Sequence, residues 1–223
     1  MQNNNGYRPL EAKEILAAAG MPVISMSIFP EAAAEHIVRT VFQRADDRET
    51  YFSSIKNLEA QLDLIGRNST LKTEQRAAAQ TAYWIAIQTL GKPGSLQCFE
   101  FLQREKGRFD SCSLDEIVGG GIMIKPAFHF LRHPKEHEIL DIRLEGSEDY
   151  RRMHFLLTRL AIYALEHAQP GAKVYGKIAF LHTEKEGFKV EDANLHGRNK
   201  LQISRLVQEL QYLQPFPEEA ARA

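Results

Sequence analysis

The sequence predicts an α+β fold: an N-terminal helical layer packed on a small mixed sheet, with a β-hairpin and a β-α-β crossover. Three observations predict it. Up to about residue 110 most of the chain repeats its apolar residues at helical spacing. Past Gly119-Gly120-Gly121 the texture changes to short stretches rich in β-formers. Residues 148–167 then form an apolar, helix-length stretch between two strand-like ones, 139–144 and 172–181. That order predicts parallel strands joined by a right-handed crossover.

Residues 9–19 are rich in Ala, Glu and Leu and stop at Gly20, as a helix with a glycine stop does. Residues 21–29 are rich in β-formers and read as a strand. Pro30 suits the first turn of a helix running to about Ala45, with Ile37, Val38, Val41 and Phe42 as its apolar stripe. Asp46 and Glu49 have capping-box spacing ahead of a helix that carries Phe52, Ile55, Leu58, Leu62 and Ile65 and ends at Gly66. Ser69 and Thr70 are cap candidates for a helix over 71–90, whose alanines and Trp84 predict close packing. Leu96, Phe99 and Leu102 mark a shorter helix after the break at 91–95.

Residues 122–132 read as a strand that Pro126 confines to an edge or a bulge. A turn at 133–137 and the partly alternating 139–144 complete a hairpin. Ser147 is the expected cap of the helix over 148–167, which is apolar nearly all round and therefore buried. A last amphipathic helix carries Leu201, Ile203, Leu206, Val207, Leu210 and Leu213. The expected organisation is a mostly helical region over 1–110 and an α/β region over 111–214 in one compact unit, with a loose tail over 215–223.

Composition bounds the function. A chain of 223 residues that is 43% hydrophobic needs no disulfide or metal to fold. Its 28 basic and 29 acidic residues leave a charge of −1, so nucleic acid is not favoured as a partner. The N-terminus shows no basic segment followed by an apolar run, and the expected location is the cytoplasm, with export by a signal-less route left open. The longest uncharged helical stretch, 77–91, contains Gln80, Thr81, Gln88 and Thr89 and is too short and polar to span a bilayer.

Four groups of residues have the types that chemistry requires. His129, His133 and His137 recur every fourth residue, but on a strand they spread by about 13 Å per step. Around the turn, His133 and His137 would converge; the plainer expectation is exposed imidazoles at a hairpin tip, and no metal site. Cys98 on an apolar helix face reads as structural, and Cys112 has no flanking signature of a nucleophile. Gly119-Gly120-Gly121 lacks the trailing Gly-Lys-Ser/Thr of a phosphate loop and reads as a flexible entry to the hairpin. His196-Gly197-Arg198-Asn199-Lys200 is a small basic cluster at a helix start, most simply a solvated turn.

Residues 122–190 resemble the central part of the GNAT family of acyl-CoA N-acyltransferases. Residues 139–144 look like the family's fourth strand, 148–168 like its coenzyme-binding helix and 174–180 like its fifth strand. Thr183-Glu184-Lys185-Glu186-Gly187-Phe188 is similar to the family's late Tyr-Glu-Lys-x-Gly-Phe segment. The resemblance implies acyl-CoA as cofactor, with Arg151 and Arg152 at its pyrophosphate, Asp141 or Glu145 as general base, and a fifth strand that splays from the fourth to open the acceptor site. The family's loop reads Arg/Gln-x-x-Gly-x-Gly/Ala, whereas Arg151-Arg152-Met153-His154-Phe155-Leu156 places His154 and Leu156 at the glycine positions. Glu148 and Asp149 also put carboxylates at the helix start, where they stabilise the helix and repel a pyrophosphate. The expected function is therefore that of a non-catalytic interaction or regulatory protein, in the class of bacterial effectors and adaptors, which binds a protein partner and uses no cofactor. The alternative is a GNAT-like acyl-CoA-dependent N-acyltransferase.

Overall fold

The computed structural model describes residues 15, 17–20, 30–68, 70–108, 111–113, 117–124, 128–181 and 187–213. The strand expected over 21–29, the tail over 215–223 and most of the 183–188 segment lie outside these residues. The architecture is α+β as the sequence predicts, with helices α1 (Pro30–Arg44), α2 (Arg48–Arg67), α3 (Thr73–Leu90) and α4 (Pro93–Lys106) preceding the strands. The strands are β1 (Ser111–Ser113), β2 (Ile117–Gly119), β3 (Ile122–Ile124), β4 (Phe128–His133), β5 (Glu136–Leu144), β6 (Lys173–Leu181) and β7 (Phe188–Asp192). Helix α5 (Glu148–Ala168) connects β5 to β6, and α6 (Gly197–Leu213) follows β7.

Pro30 opens α1, where its missing N–H leaves no helical bond unmade. The helix buries Ala34, Val38, Val41 and Phe42, and with them Glu35. The capping box of α2 lies one residue later than the Asp46–Glu49 spacing predicts: Thr50 N donates to Asp47 Oδ1 at 2.8 Å, and Asp47 N donates to Thr50 Oγ1 at 3.0 Å. A threonine hydroxyl does here what a glutamate carboxylate does in the commoner form. Gly66 does not end α2, which continues to Arg67 and closes with Asn68 N donating to Ile65 O.

Helix α3 starts after Lys72 without a side-chain cap, and the Thr70 hydroxyl donates to Asn68 Oδ1 instead. It packs through Ala82, Ala86, Thr89 and Leu90 while Trp84 is 57% exposed, so the alanine face alone makes the close contact expected of both. Phe42, Tyr51 and Phe99 join α1, α2 and α4, with the Tyr51 and Phe99 ring centroids 4.8 Å apart. The Tyr51 hydroxyl donates to Leu90 O at 2.7 Å, which satisfies the phenol inside this core and ties α2 to the end of α3.

The main sheet runs in the order β1-β4-β5-β6-β7, with β5 and β6 parallel and the other neighbours antiparallel. The predicted strand over 122–132 is two strands in different sheets: β4 belongs to the main one, whereas β3 pairs with β2 alone. Gly120 and Gly121 form the turn between β2 and β3 with φ of 58° and 81°, the conformation a two-residue hairpin needs at both positions. A Cβ on Gly119 would lie 1.9 Å from Ala164 O, so this strand is seated on the α5 backbone. The glycine run is thus a hairpin and its seat, not a flexible entry.

Among the described residues two larger cores flank the sheet, beside a small cluster of Ile178, Phe180 and Ala193. Phe128, Phe130, Leu140, Ile142, Leu144, Ala179 and Leu181 pack with α1–α4. Ile139 packs with α5, α6 and the β2–β3 hairpin, and Ile15 joins this second core. Ala19 N donates to Ile15 O and Gly20 takes φ 63°, the glycine stop expected there. With both faces covered, β5 is buried from His137 to Leu144, which leaves its alternation incomplete. Ser147 caps α5 as expected, accepting from Tyr150 N.

Leu160 is fully buried on α5, whereas Leu201 is 55% exposed on α6. Leu160→Ala is expected to cost about 2–5 kcal/mol through lost burial plus a cavity. Leu201→Ala should stay within about 0.5 kcal/mol. Urea denaturation of both variants checks this, and equal losses would contradict the placement of α5 at the centre.

Candidate functional site

Three elements bring charged side chains together where β5 ends. Positions 141 and 143 share one face of the strand, because alternate residues do. Residues 35 and 39 on α1, and 150, 154 and 158 on α5, are spaced by four and so share a helix face. The resulting cluster is Glu35, Arg39, Asp141, Arg143, Tyr150, His154 and Thr158.

Arg143 sits at its centre. Its Nε donates to Asp141 Oδ2 at 2.6 Å and its Nη1 to Glu35 Oε1 at 2.5 Å. The other Glu35 oxygen accepts from Leu144 N at 3.2 Å and from the Tyr150 hydroxyl. Arg39 Nη2 lies 3.6 Å from Glu35 Oε1. Glu35 is 1% exposed, Asp141 3%, Arg143 8% and His154 0%.

Two carboxylates and two guanidiniums make the cluster neutral overall. Burial opposes the charge of Arg143, but Asp141 and Glu35 outweigh it and hold the guanidinium above its ordinary pKa. Burial and then Glu35 push the Tyr150 hydroxyl up, so it remains a donor. Burial, followed by Arg143 and Arg39, pushes the His154 imidazole well below its ordinary value, so it is neutral at pH 7. Its ring stands edge-on to Tyr150 with centroids 4.3 Å apart. Asp141 Oδ1, both His154 ring nitrogens and Thr158 Oγ1 are buried without a hydrogen-bond partner.

A neutral imidazole beside a carboxylate has the composition of an acid–base pair. The geometry does not complete one. His154 Nδ1 is 3.8 Å from Asp141 Oδ2, beyond hydrogen-bond range. Arg143 occupies the space between the carboxylates that a substrate or cation would need. The arrangement is a closed, self-compensated clamp.

Of the residues expected to carry chemistry, only Asp141 belongs to this cluster. Glu145 is exposed, and its N–H donates to Leu181 O at 2.8 Å, closing the ends of β5 and β6. Arg151 pairs with Glu191 and lies 4.7 Å over the Phe180 ring. Burial works against ionisation of Glu191, but hydrogen bonds from Lys189 and Arg151 hold its carboxyl below the usual range. Arg152 pairs with Glu148 at 3.2 Å and Asp149 at 4.0 Å. Strands β5 and β6 stay paired from Glu136↔Lys173 to Leu144↔Leu181, with no splay between them.

The histidines that converge are His129 and His137, not His133 and His137. His129 Nε2 is 2.9 Å from His137 Nδ1 across the hairpin, and His137 Nε2 is 2.7 Å from Gln169 Oε1. His137 is only 2% exposed, while His133 lies exposed at the tip as expected. No group of three metal-binding side chains occurs among the described residues. Cys98 is buried in the core, where burial pushes its thiol up; Cys112 lies on β1 opposite Phe130. Lys200 of the basic run pairs with Glu166 at 2.7 Å.

On the outer side of α5, a groove of about 530 Å³ runs between α5 and α6 beside Ala18 and Ala19. Phe155, Leu156 and Leu206 line its apolar part, and Arg152, Arg159 and Arg205 its polar part. No helix among the described residues is long and apolar enough to cross a membrane.

No protein-family model and no curated protein matches this chain in sequence. One solved structure, described as "Crystal structure of SSO0001", is similar with a TM-score of 0.34 and 16% identity, over 79% of this chain and 75% of the other.

His154 yields a test with a definite sign. Its folded pKa lies below its unfolded value, so its contribution is complete above about pH 6.5 and is lost as pH falls below that. The slope is at most about 1.4 kcal/mol per pH unit for one proton. His154→Gln should flatten the loss of stability below about pH 6.5, measured by urea denaturation at a series of pH values. A slope equal to that of the parent would contradict the buried, neutral imidazole. Exhaustive chelation should leave the melting temperature unchanged; a stoichiometric metal lost in His129→Ala or His137→Ala would contradict that.

Proposed function

We propose that this chain is a non-catalytic interaction or regulatory protein, in the class of effectors and adaptors, and that it binds its partner through its surface. One observation carries the reading. In open α/β sheets, ligand crevices lie at the carboxyl ends of parallel strands. Here that end of β5 is filled by buried Glu35, Asp141 and Arg143, joined by hydrogen bonds, with Arg39 balancing the remaining charge. A reactive site needs groups held for a substrate, and these groups are held for each other.

The arginines support the same reading. An N-acyltransferase would need Arg151 and Arg152 for a pyrophosphate, but Arg151 is engaged by Glu191 and the Phe180 ring, and Arg152 stands beside Glu148 and Asp149, whose carboxylates repel a phosphate at the helix start. The start of α5 carries its own side-chain cap and two first-turn carboxylates, which meet the needs of the free amides and the dipole there. The sustained pairing of β5 with β6 also leaves no gap for an acceptor.

The acyltransferase alternative is tested by linkage. A ligand that binds only the folded state at a hundredfold excess over its dissociation constant adds about 2.7 kcal/mol. Acetyl-CoA is expected to produce no shift in thermal unfolding. A saturable shift that disappears in Arg151→Ala and Arg152→Ala would overturn the interaction reading and favour the acyltransferase alternative.

A further inference from the structure

We propose that the groove between α5 and α6 is the docking site for an acidic peptide segment of a protein partner, one that sets aliphatic anchors between carboxylates. The proposal rests on the interaction reading above and names the chemistry of the partner. The groove joins two features that a peptide of this kind requires. Its apolar part, Phe155 and Leu156 on α5 with Ile203 and Leu206 on α6, offers a hydrophobic seat. Arg152, Arg159 and Arg205 line the same groove against one acid, Glu209. In a chain whose formal charge is −1, this is a local concentration of positive charge.

Arg159 is the residue that points most directly to a carboxylate. Its Nε is buried without a hydrogen-bond partner, and its guanidinium lies 5.2 Å over the Phe155 ring. Neither Arg159 nor Arg205 forms an ion pair with an acid among the described residues. A planar guanidinium on an apolar wall with no acid paired to it among the described residues matches the forked acceptors of Asp or Glu. Arg152 is held only by the exposed acids Glu148 and Asp149, and surface pairs of this type exchange partners at little cost.

Nucleic acid fits less well. Sequence-tolerant binding of a single strand needs aromatic faces for successive bases. Phe155 is the aromatic side chain in the lining, and Arg159 covers its ring. The remaining apolar lining is aliphatic and suits Leu, Ile or Val anchors.

The test is selection from a random 12-residue peptide library displayed on phage, using the full chain as bait. Enriched peptides are then measured by fluorescence anisotropy, with oligothymidine as a second probe. The expected result is enrichment of acidic sequences with aliphatic residues. Their affinity should fall roughly tenfold or more in Arg159→Gln and in Arg205→Glu, as expected for loss of a charge-assisted hydrogen bond. Arg67→Glu, an exposed change on α2, should leave it unchanged. Acidic binders insensitive to both groove variants would overturn the groove and leave the interaction reading standing. Groove-dependent binders that are not acidic, tighter binding of oligothymidine, or no enriched peptide would each overturn the proposal. A saturable acetyl-CoA shift would overturn the interaction reading as well.

Discussion

Everything around the end of β5 depends on one buried ionic contact, the Arg143 guanidinium held between Glu35 and Asp141. An isolated charge at this depth would cost several kcal/mol in lost hydration. The cost is contained only because both carboxylates, the Leu144 N–H and the Tyr150 hydroxyl sit within reach at the same time. These groups come from α1, β5 and α5. The contact therefore ties the N-terminal helical layer to the sheet and to the first turn of the crossover helix.

Two consequences follow for function. First, Arg143, Glu35, Tyr150 and one oxygen of Asp141 are engaged with one another, and His154 is kept neutral by its burial and then by Arg143 and Arg39. Second, α5 is divided in use. Its inner face carries Met153, Leu160 and Ala164 in the core, while Phe155, Leu156 and Arg159 remain for the groove against α6. The same helix that carries Tyr150 and His154 of the cluster thus also builds one wall of the groove.

The elements legible in the sequence were those with local causes. Ser147 followed by acids and an apolar run marks the start of α5, and Pro30 marks a helix start through its fixed φ; Pro93 opens α4 in the same way, inside the stretch 91–95 that reads as a break. Features set by distant partners were not legible. Glu35 reads as one more acid on a helix, and nothing local announces that Arg143, 108 residues away, will hold it buried. The His129–His137 contact depends on hairpin register, with an irregularity between Leu131 and His133 that spacing alone does not reveal. The 122–132 run is continuous in β-propensity but splits because β3 leaves with the Gly120–Gly121 hairpin. Asp141 is, with Glu145, one of the two general-base candidates that the acyltransferase resemblance implies; its place near the strand end is legible in the sequence, and its capture by Arg143 is not.

The central claim is that the Glu35–Arg143–Asp141 contact is a structural clamp, and a double-mutant cycle on its longest-range pair tests it most directly. Glu35→Gln and Arg143→Met should each destabilise strongly, by about 3–5 kcal/mol for a buried pair left half-paired. The double variant should lose less than their sum, with a coupling energy of about 1–3 kcal/mol in urea denaturation. Single losses that add to within about 0.5 kcal/mol would contradict the clamp.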